Sequence, residues 1–354
     1  MAAMLFLHVI IQKTFKTITR AILCKPMIFI PDVLITYHCT QRCLQCSVPT
    51  MASNHQAFMT IEDYRHIIDK LDAHGTPVVV ISGGEPMLHP ELPEFIRYAA
   101  KKHFARIHLL TTLYGPEHLI ERAVQAVLDT GISLSISFDG LGTVADEIRG
   151  VKNVSERVKQ SIGYMKKEME RRNKHVHCGG SVVLSQLNLH QTSDIIEYLE
   201  EVGWITDIDI YRWQSQSQRE TDRLKITNVE DLRAALDIAK RSPIIFTPSW
   251  LLDLLPEYLE GRFKKYCPYL ALPTFGTKIL IQPDGSEKTC KGSTYGNILQ
   301  QTIDDLFASP EWVHQLEEKK TCPGCVNTLY TRSKNFVPTS IKELRSVWEQ
   351  VWNT

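Results

Sequence analysis

Three cysteines, Cys39, Cys43 and Cys46, lie at C-x3-C-x2-C spacing directly after the apolar run Val33-Leu34-Ile35-Thr36-Tyr37. That run reads as a strand, so the thiols fall on the loop at its end. In parallel α/β folds, sites form at the carboxyl ends of strands. Three thiolates are one short of a closed structural zinc site. They are also one short of filling a four-iron cluster, so three cysteines on a cubane leave one iron open to another ligand. The plain alternatives are a zinc knuckle or three unrelated buried thiols, since free cysteine is a common core residue.

Ser82-Gly83-Gly84-Glu85-Pro86 follows the second strand-like run. Paired glycines let a backbone approach a ligand closely and accept positive φ, although Gly-Gly after a strand is usually just a turn. Further on, Ser133, Ser135, Ser137 and Asp139 alternate with apolar residues. One face of that strand therefore carries hydroxyls that need polar partners inside a fold. Arg149-Gly150 comes next; the plain reading of Arg149 is a surface cation and of Ser137 a tolerated strand residue.

Together these stretches resemble the radical S-adenosylmethionine (SAM) superfamily. The resemblance implies that Cys39, Cys43 and Cys46 ligate a [4Fe–4S] cluster whose open iron is chelated by SAM. It implies that the Gly83-Gly84-Glu85-Pro86 backbone contacts the methionyl amino group. It further implies that Ser137 meets the ribose or carboxylate of SAM and that Arg149 meets the carboxylate, as a charge-assisted pair. The chain departs from the family at Gln45, where an aromatic or similar residue is usual. It departs again at Thr111-Thr112-Leu113-Tyr114-Gly115, where the family often shows Thr-Asn-Gly. Asn188 is placed to touch the nucleoside, but an Asn in a turn explains itself. Cys24 and Cys178 read as packing residues and His177 as a polar neighbour.

A second set of cysteines is Cys267, Cys290, Cys322 and Cys325. Pro283-Asp284-Gly285 between two strand-like runs is a hairpin turn leading to Cys290. Four cysteines can close a zinc site or a four-iron cluster. With Gly296-Asn297-Ile298 in between, the layout resembles the SPASM/twitch extensions of radical SAM enzymes and implies one auxiliary [4Fe–4S] cluster. The likeness covers roughly residues 32–330.

The elements that must position these residues alternate. Strand-like runs at 33–38, 77–82, 106–112, 132–139, 176–185 and 207–212 are separated by helical patterns. One helix follows Thr60, an N-cap with Asp63 in the reciprocal position, and ends at Gly75. Others are expected near 92–103, 116–129, 153–172 and 191–202. The alternation implies a parallel sheet with right-handed crossovers. Six units are too few for a complete barrel. The expected fold is therefore α/β, a partial (β/α)6 barrel with a small C-terminal iron–sulfur (SPASM/twitch-like) domain. The expected divisions are an N-terminal amphipathic helix in 1–30, the barrel in 31–225 and a polar helical bridge in 226–262. The cluster domain occupies 263–330 and a last helix 331–354.

The 354 residues hold 40 basic and 40 acidic side chains, so nothing in the balance suggests a nucleic-acid partner. Clustered cysteines and the lack of a secretory cleavage pattern point to a reducing, cytoplasmic setting. Residues 4–23 carry an apolar stripe opposite Lys13, Lys16 and Arg20. They read either as a helix packed on the core or as one lying on a membrane surface. The family mechanism implies reductive cleavage of SAM to a 5′-deoxyadenosyl radical, fed by an external donor of flavodoxin or ferredoxin type. The radical takes hydrogen from a small metabolite or peptide, for a net oxidation in cofactor or natural-product biosynthesis. Tyr211-Arg212-Trp213 could line the substrate pocket. The alternatives are a redox-neutral rearrangement or adenosyl transfer and, in another class, a non-catalytic protein with two structural metal sites.

Overall fold

The computed structural model describes residues 26–48, 58–212, 221–263, 267, 275–276, 279–289, 294–322 and 326. The helices expected over 4–23 and 331–354 lie outside these residues, as do Cys24, Cys290, Cys325 and Trp213.

Six strands form the parallel barrel wall: β2 (Asp32–Leu34), β3 (Val78–Ser82), β4 (Arg106–Thr111), β5 (Ser133–Ser137), β6 (Cys178–Leu184) and β7 (Ile205–Ile210). Each lies beside its neighbour in sequence, so the connections are the helical crossovers α1 (Ile61–His74), α2 (Leu92–Ala100), α3 (Glu117–Thr130), α4 (Gly142–Arg149) with α5 (Val154–Arg171), and α6 (Thr192–Glu201). This is the partial barrel the alternation predicts. A two-residue strand, β1 (Met27–Ile28), pairs separately with β8 (Phe275–Gly276).

The helices form where the pattern says they should, and their ends explain why. In α1 the Thr60 hydroxyl accepts the Asp63 N–H at 3.1 Å and in turn donates to the Asp63 carboxylate at 2.8 Å, while Gly75 closes the helix in the left-handed conformation. Tyr64, Ile67, Ile68 and Leu71 are fully buried against the sheet, each contributing about 1.5–3 kcal/mol by leaving water.

Along each strand one side chain in two faces the helices. In β4, Ile107, Leu109 and Thr111 are buried, and Arg106, His108 and Leu110 are half-buried and turn into the barrel. Asp207 and Asp209 of β7 face inward in the same way.

Beyond β7, α7 (Val229–Arg241) and α8 (Ser249–Leu259) bury Leu232, Leu236, Leu251 and Leu255. Between them the chain runs along the sheet edge, Phe246 N–H donating to the Thr206 carbonyl at 2.9 Å. Both helices pack along the barrel edge.

On the other side the sheet continues through β9 (Leu280–Ile281), β10 (Ser286–Lys288) and β11 (Thr294–Asn297), followed by α9 (Ile303–Ala308) and α10 (Pro310–Lys320). The Pro283-Asp284-Gly285 turn joins β9 and β10 as an antiparallel hairpin, and β9 pairs in parallel with β2. Among the described residues no helix is long and apolar enough to cross a membrane.

Candidate functional site

The ladder of β2 stops at Leu34, earlier than the apolar run suggests. From there the chain crosses the end of β3. Gly84 N–H donates to the Thr36 carbonyl at 2.8 Å and Glu85 N–H to the His38 carbonyl at 2.7 Å. A Cβ on Gly84 would sit 2.3 Å from the His38 oxygen, which only glycine permits. Gly83 lies equally close to Thr36. The glycine pair therefore approaches the chain's own segment 36–38, the base of the cysteine loop.

The far side of that loop hangs on the end of α4. Arg42 N–H donates to the Arg149 carbonyl at 2.9 Å and Leu44 N–H to the Ile148 carbonyl at 3.0 Å. Gly150, at φ +66°, ends α4 so close that a Cβ would lie 2.6 Å from the Arg42 oxygen. The cysteine loop is thus clamped between two glycine-dependent contacts.

Within it, Cys39, Cys43 and Cys46 are half-buried free thiols. Burial pushes Cys39 up to about 11, with Glu85, Cys43 and Cys46 adding to it and the Gln41 N–H opposing. Burial raises Cys46 as well, and Arg149 pulls it back in part. Cys39 and Cys46 so placed resist ionising unless positive charge is brought beside them. Two polar atoms of the loop, Gln41 Nε2 and Gln45 Oε1, are buried without a partner among the described residues, a cost that a bound group would relieve.

Among the described residues no three His, Cys, Asp or Glu side chains converge on a point where one metal ion could be held. A cubane takes its thiolates on separate irons, so it does not require such convergence. Three loop thiols beside the unpartnered buried Gln41 Nε2 and Gln45 Oε1 are a donor set that fits a three-cysteine cluster. Of the second set, Cys267 and Cys322 are half-buried free thiols.

The polar groups around the loop form two buried networks. Glu85, with no exposure, accepts four hydrogen bonds: from Thr111 Oγ1 at 2.6 Å, Met87 N–H at 3.1 Å, and Thr112 N–H and Oγ1 at 2.8 and 2.6 Å. Its carboxylate braces the end of β4, and burial raises its pKa against those four donors. The next residue along, Leu113, is held at φ +49°.

The second network centres on Asp139. Its Oδ2 accepts from Arg149 Nη2 at 2.5 Å and Gln45 Nε2 at 3.4 Å, and its Oδ1 from Val183 N–H at 2.9 Å. Arg149 also points Nη1 at Cys43 Sγ, 3.9 Å away. It is 6% exposed, which rules out a surface cation. Asn188 donates to the Asp139 and Val183 carbonyls and accepts from Ser185. These bonds tie the ends of β5 and β6 together. Ser137 ends β5, half-buried, two residues before Asp139.

The fold thus brings Cys39, Cys43, Cys46, Gly83, Gly84, Glu85, Ser137 and Arg149 to one end of the barrel. Tyr211 and Arg212 follow β7. The Tyr211 hydroxyl accepts from Thr221 N–H at 2.8 Å, and Arg212 pairs with Asp209 and donates to the Val326 carbonyl at 3.1 Å. Sequence reasoning passed over Asp139, Thr111 and Thr112 as site residues. The signal for Asp139 was its place in the alternation with Ser133, Ser135 and Ser137; the threonines gave none, because their partner is Glu85, 26 residues away or more.

The Radical SAM superfamily profile matches residues 33–199. An AdoMet-dependent heme synthase of Methanosarcina barkeri is 27% identical over 343 residues, 86% of this chain and 92% of that protein. A PqqA peptide cyclase of Rhodopseudomonas palustris is 25% identical over 239 residues, 65% of this chain and 59% of that one. The heme synthase of Nitratidesulfovibrio vulgaris, at 26% identity, is matched over only 44% of its length. Among solved structures, Streptococcus suis SuiB bound to precursor peptide SuiA has a TM-score of 0.64 at 14% identity, over 86% of this chain and 71% of that one. Native anSMEcpe with bound AdoMet has a TM-score of 0.60 at 15% identity, over 91% of this chain and 99% of that one. At such identities the structural likeness shows the fold.

Proposed function

We propose that this chain, which belongs through residues 33–199 to the Radical SAM superfamily, is an enzyme that consumes SAM to oxidise a small metabolite or peptide. The observation that carries the reading is the clamped loop of Cys39, Cys43 and Cys46 with buried Arg149 beside it. Cys39, Cys43 and Cys46 would hold a [4Fe–4S] cluster, which would supply one-electron reduction of SAM and with it the hydrogen-abstracting chemistry.

The chain's own residues do the positioning. Gly83 and Gly84 fix the loop base, and their segment would contact the methionyl end of SAM. Arg149, kept charged and oriented by Asp139, meets the SAM carboxylate. Ser137, at the mouth of β5, meets the ribose or carboxylate. Glu85 holds Thr111 and Thr112 so that the β4 end forms a rigid wall.

A second, auxiliary cluster on Cys267, Cys290, Cys322 and Cys325 would take the electron left on the substrate radical, giving a net two-electron oxidation. A flavodoxin- or ferredoxin-type protein would feed the first cluster. The near full-length likeness to a heme synthase and the partial likeness to a peptide cyclase make porphyrin and peptide substrates the first to assay. Residues 4–23 would dock the enzyme to lipid, and vesicle co-sedimentation of the full chain against a deletion of 4–23 tests that.

The central test is anaerobic incubation with SAM and dithionite. Formation of 5′-deoxyadenosine and methionine is the expected result, and a product two hydrogens lighter than its substrate supports oxidation. A product of unchanged mass, or one carrying the adenosyl group, would replace oxidation by rearrangement or transfer. Zinc in place of iron and sulfide after anaerobic purification would replace the enzyme reading altogether.

A further inference from the structure

The inward faces of the strands carry one group that the proposed chemistry does not use. At the barrel floor, the strand starts opposite the cysteine loop, Arg106 and His108 of β4 turn inward, and His108 stands opposite Ser133 of β5. His177 joins them from the next strand. Its carbonyl accepts Leu134 N–H at 2.8 Å, and it faces away from Cys178, which packs on the core. Arg106 and His108 are half-buried, and His177 opens to solvent.

Burial acts on all three, and positive neighbours act on the two histidines. Burial, then Arg106 and His177, depress His108 to about 4; burial, then Arg106, lower His177; burial lowers Arg106. Both imidazoles are therefore neutral near pH 7, and each offers one N–H. Among the described residues nothing gives the Arg106 guanidinium an ion pair or a hydrogen bond. The barrel's buried arginines are otherwise matched, Arg149 with Asp139 and Arg212 with Asp209. A guanidinium taken partly out of water without an acid is costly, and an anion from outside the chain would offset that cost.

We propose that Arg106, His108 and His177 form a binding site for an anionic group, a carboxylate or a phosphate, on the barrel floor. The guanidinium supplies a two-pronged donor fork, and the two imidazoles supply one N–H each. At about 3.3 Å per residue, His108 lies about 13 Å below Thr112 and Arg106 about 20 Å below it. A substrate anchored there by its anionic end would reach the SAM end of the barrel if it were elongated, about 15 Å long or more. This substrate class rests on the proposed function; anion binding itself does not.

The test is thermal melting of the anaerobically purified full chain in sodium phosphate or sodium acetate, each against sodium chloride of equal ionic strength. The site predicts a rise of about 2 °C at tenfold over Kd, and the anion that gives it at the lower concentration identifies the group. Arg106→Gln should remove the shift. His177→Gln, at an exposed position where folding is not at risk, should weaken it severalfold. No shift beyond chloride, or an equal shift in wild type and both variants, would overturn the proposal. Uncoupled 5′-deoxyadenosine formation is measured in parallel. Its absence beside an intact anion shift would remove the enzyme reading and leave the site standing.

Discussion

Arg149 and Asp139 are held together in the barrel mouth at 2.5 Å, both buried, with the same guanidinium 3.9 Å from Cys43 Sγ. The pair joins the end of α4 to the end of β5, and so ties that strand to the cysteine loop. Removing one partner of a buried ion pair leaves the other charge uncompensated, at about 3–5 kcal/mol. Arg149→Ala should lower the melting temperature and weaken SAM binding by roughly 1.5–3 kcal/mol. Calorimetric titration of SAM into reconstituted protein checks the second part; unchanged affinity would make the pair purely structural.

Replacing Cys39, Cys43 and Cys46 together with Ala should abolish 5′-deoxyadenosine formation under strong reductant. Undiminished formation in the triple variant would refute the assignment of the SAM-binding cluster.

Replacing Cys267 and Cys322 with Ala should lower iron from about eight to about four atoms per chain, if each set holds a four-iron cluster. Iron and sulfide analysis reads this directly. A wild-type value near four would remove the second cluster.

Glu85→Ala leaves the Thr111 and Thr112 donors without their acceptor, at about 1–3 kcal/mol for each buried group. We expect a clear fall in stability together with slower SAM cleavage. Glu85→Gln keeps one acceptor oxygen and should be milder. Equal stability of all three proteins, by chemical denaturation, would show that the carboxylate braces nothing.

Glu287 supplies a pH signature. It is fully buried on β10, and burial pushes its carboxyl up to about 8, with the Tyr295 hydroxyl and Lys70 ammonium pulling the other way. The folded chain therefore holds a proton that the unfolded chain releases near 4.5. Its stabilising contribution is complete below that value and is lost as pH rises toward 8, at about 1.4 kcal/mol per unit. Glu287→Gln should remove this slope, so the variant gains on wild type between pH 5 and 8. Parallel curves would show that Glu287 does not titrate in that range.

Much of the barrel was legible because its signals are local. The run at 77–82 is β3 within one residue, and the Thr60 and Gly75 caps bound α1 as read. The short helix α4 was missed because its buried residues Ala145, Ile148 and Arg149 give too weak a stripe in eight residues. The early end of β2 was also missed, since its cause is the approach of Gly84 to Tyr37 and His38, and no pattern within 33–38 records it. The Arg106, His108 and His177 cluster was invisible for the same reason: His177 reads as a bland polar residue until the register sets it beside β5.

The pairing of β9 with β2 has a consequence for how the chain can be divided. Asp32 N–H donates to the Ile279 carbonyl at 2.8 Å, and Asp32 and Val33 stand opposite Leu280 and Ile281. The strand that aims the cysteine loop thus has its outer flank sealed by a segment some 245 residues later, and the Tyr37 hydroxyl donates to Gln282 Oε1 at 2.7 Å just beyond. Cutting the chain after α8 would strip that flank and leave a bare strand edge, the kind of surface that recruits other chains. A shortened barrel fragment should therefore aggregate before it can be assayed.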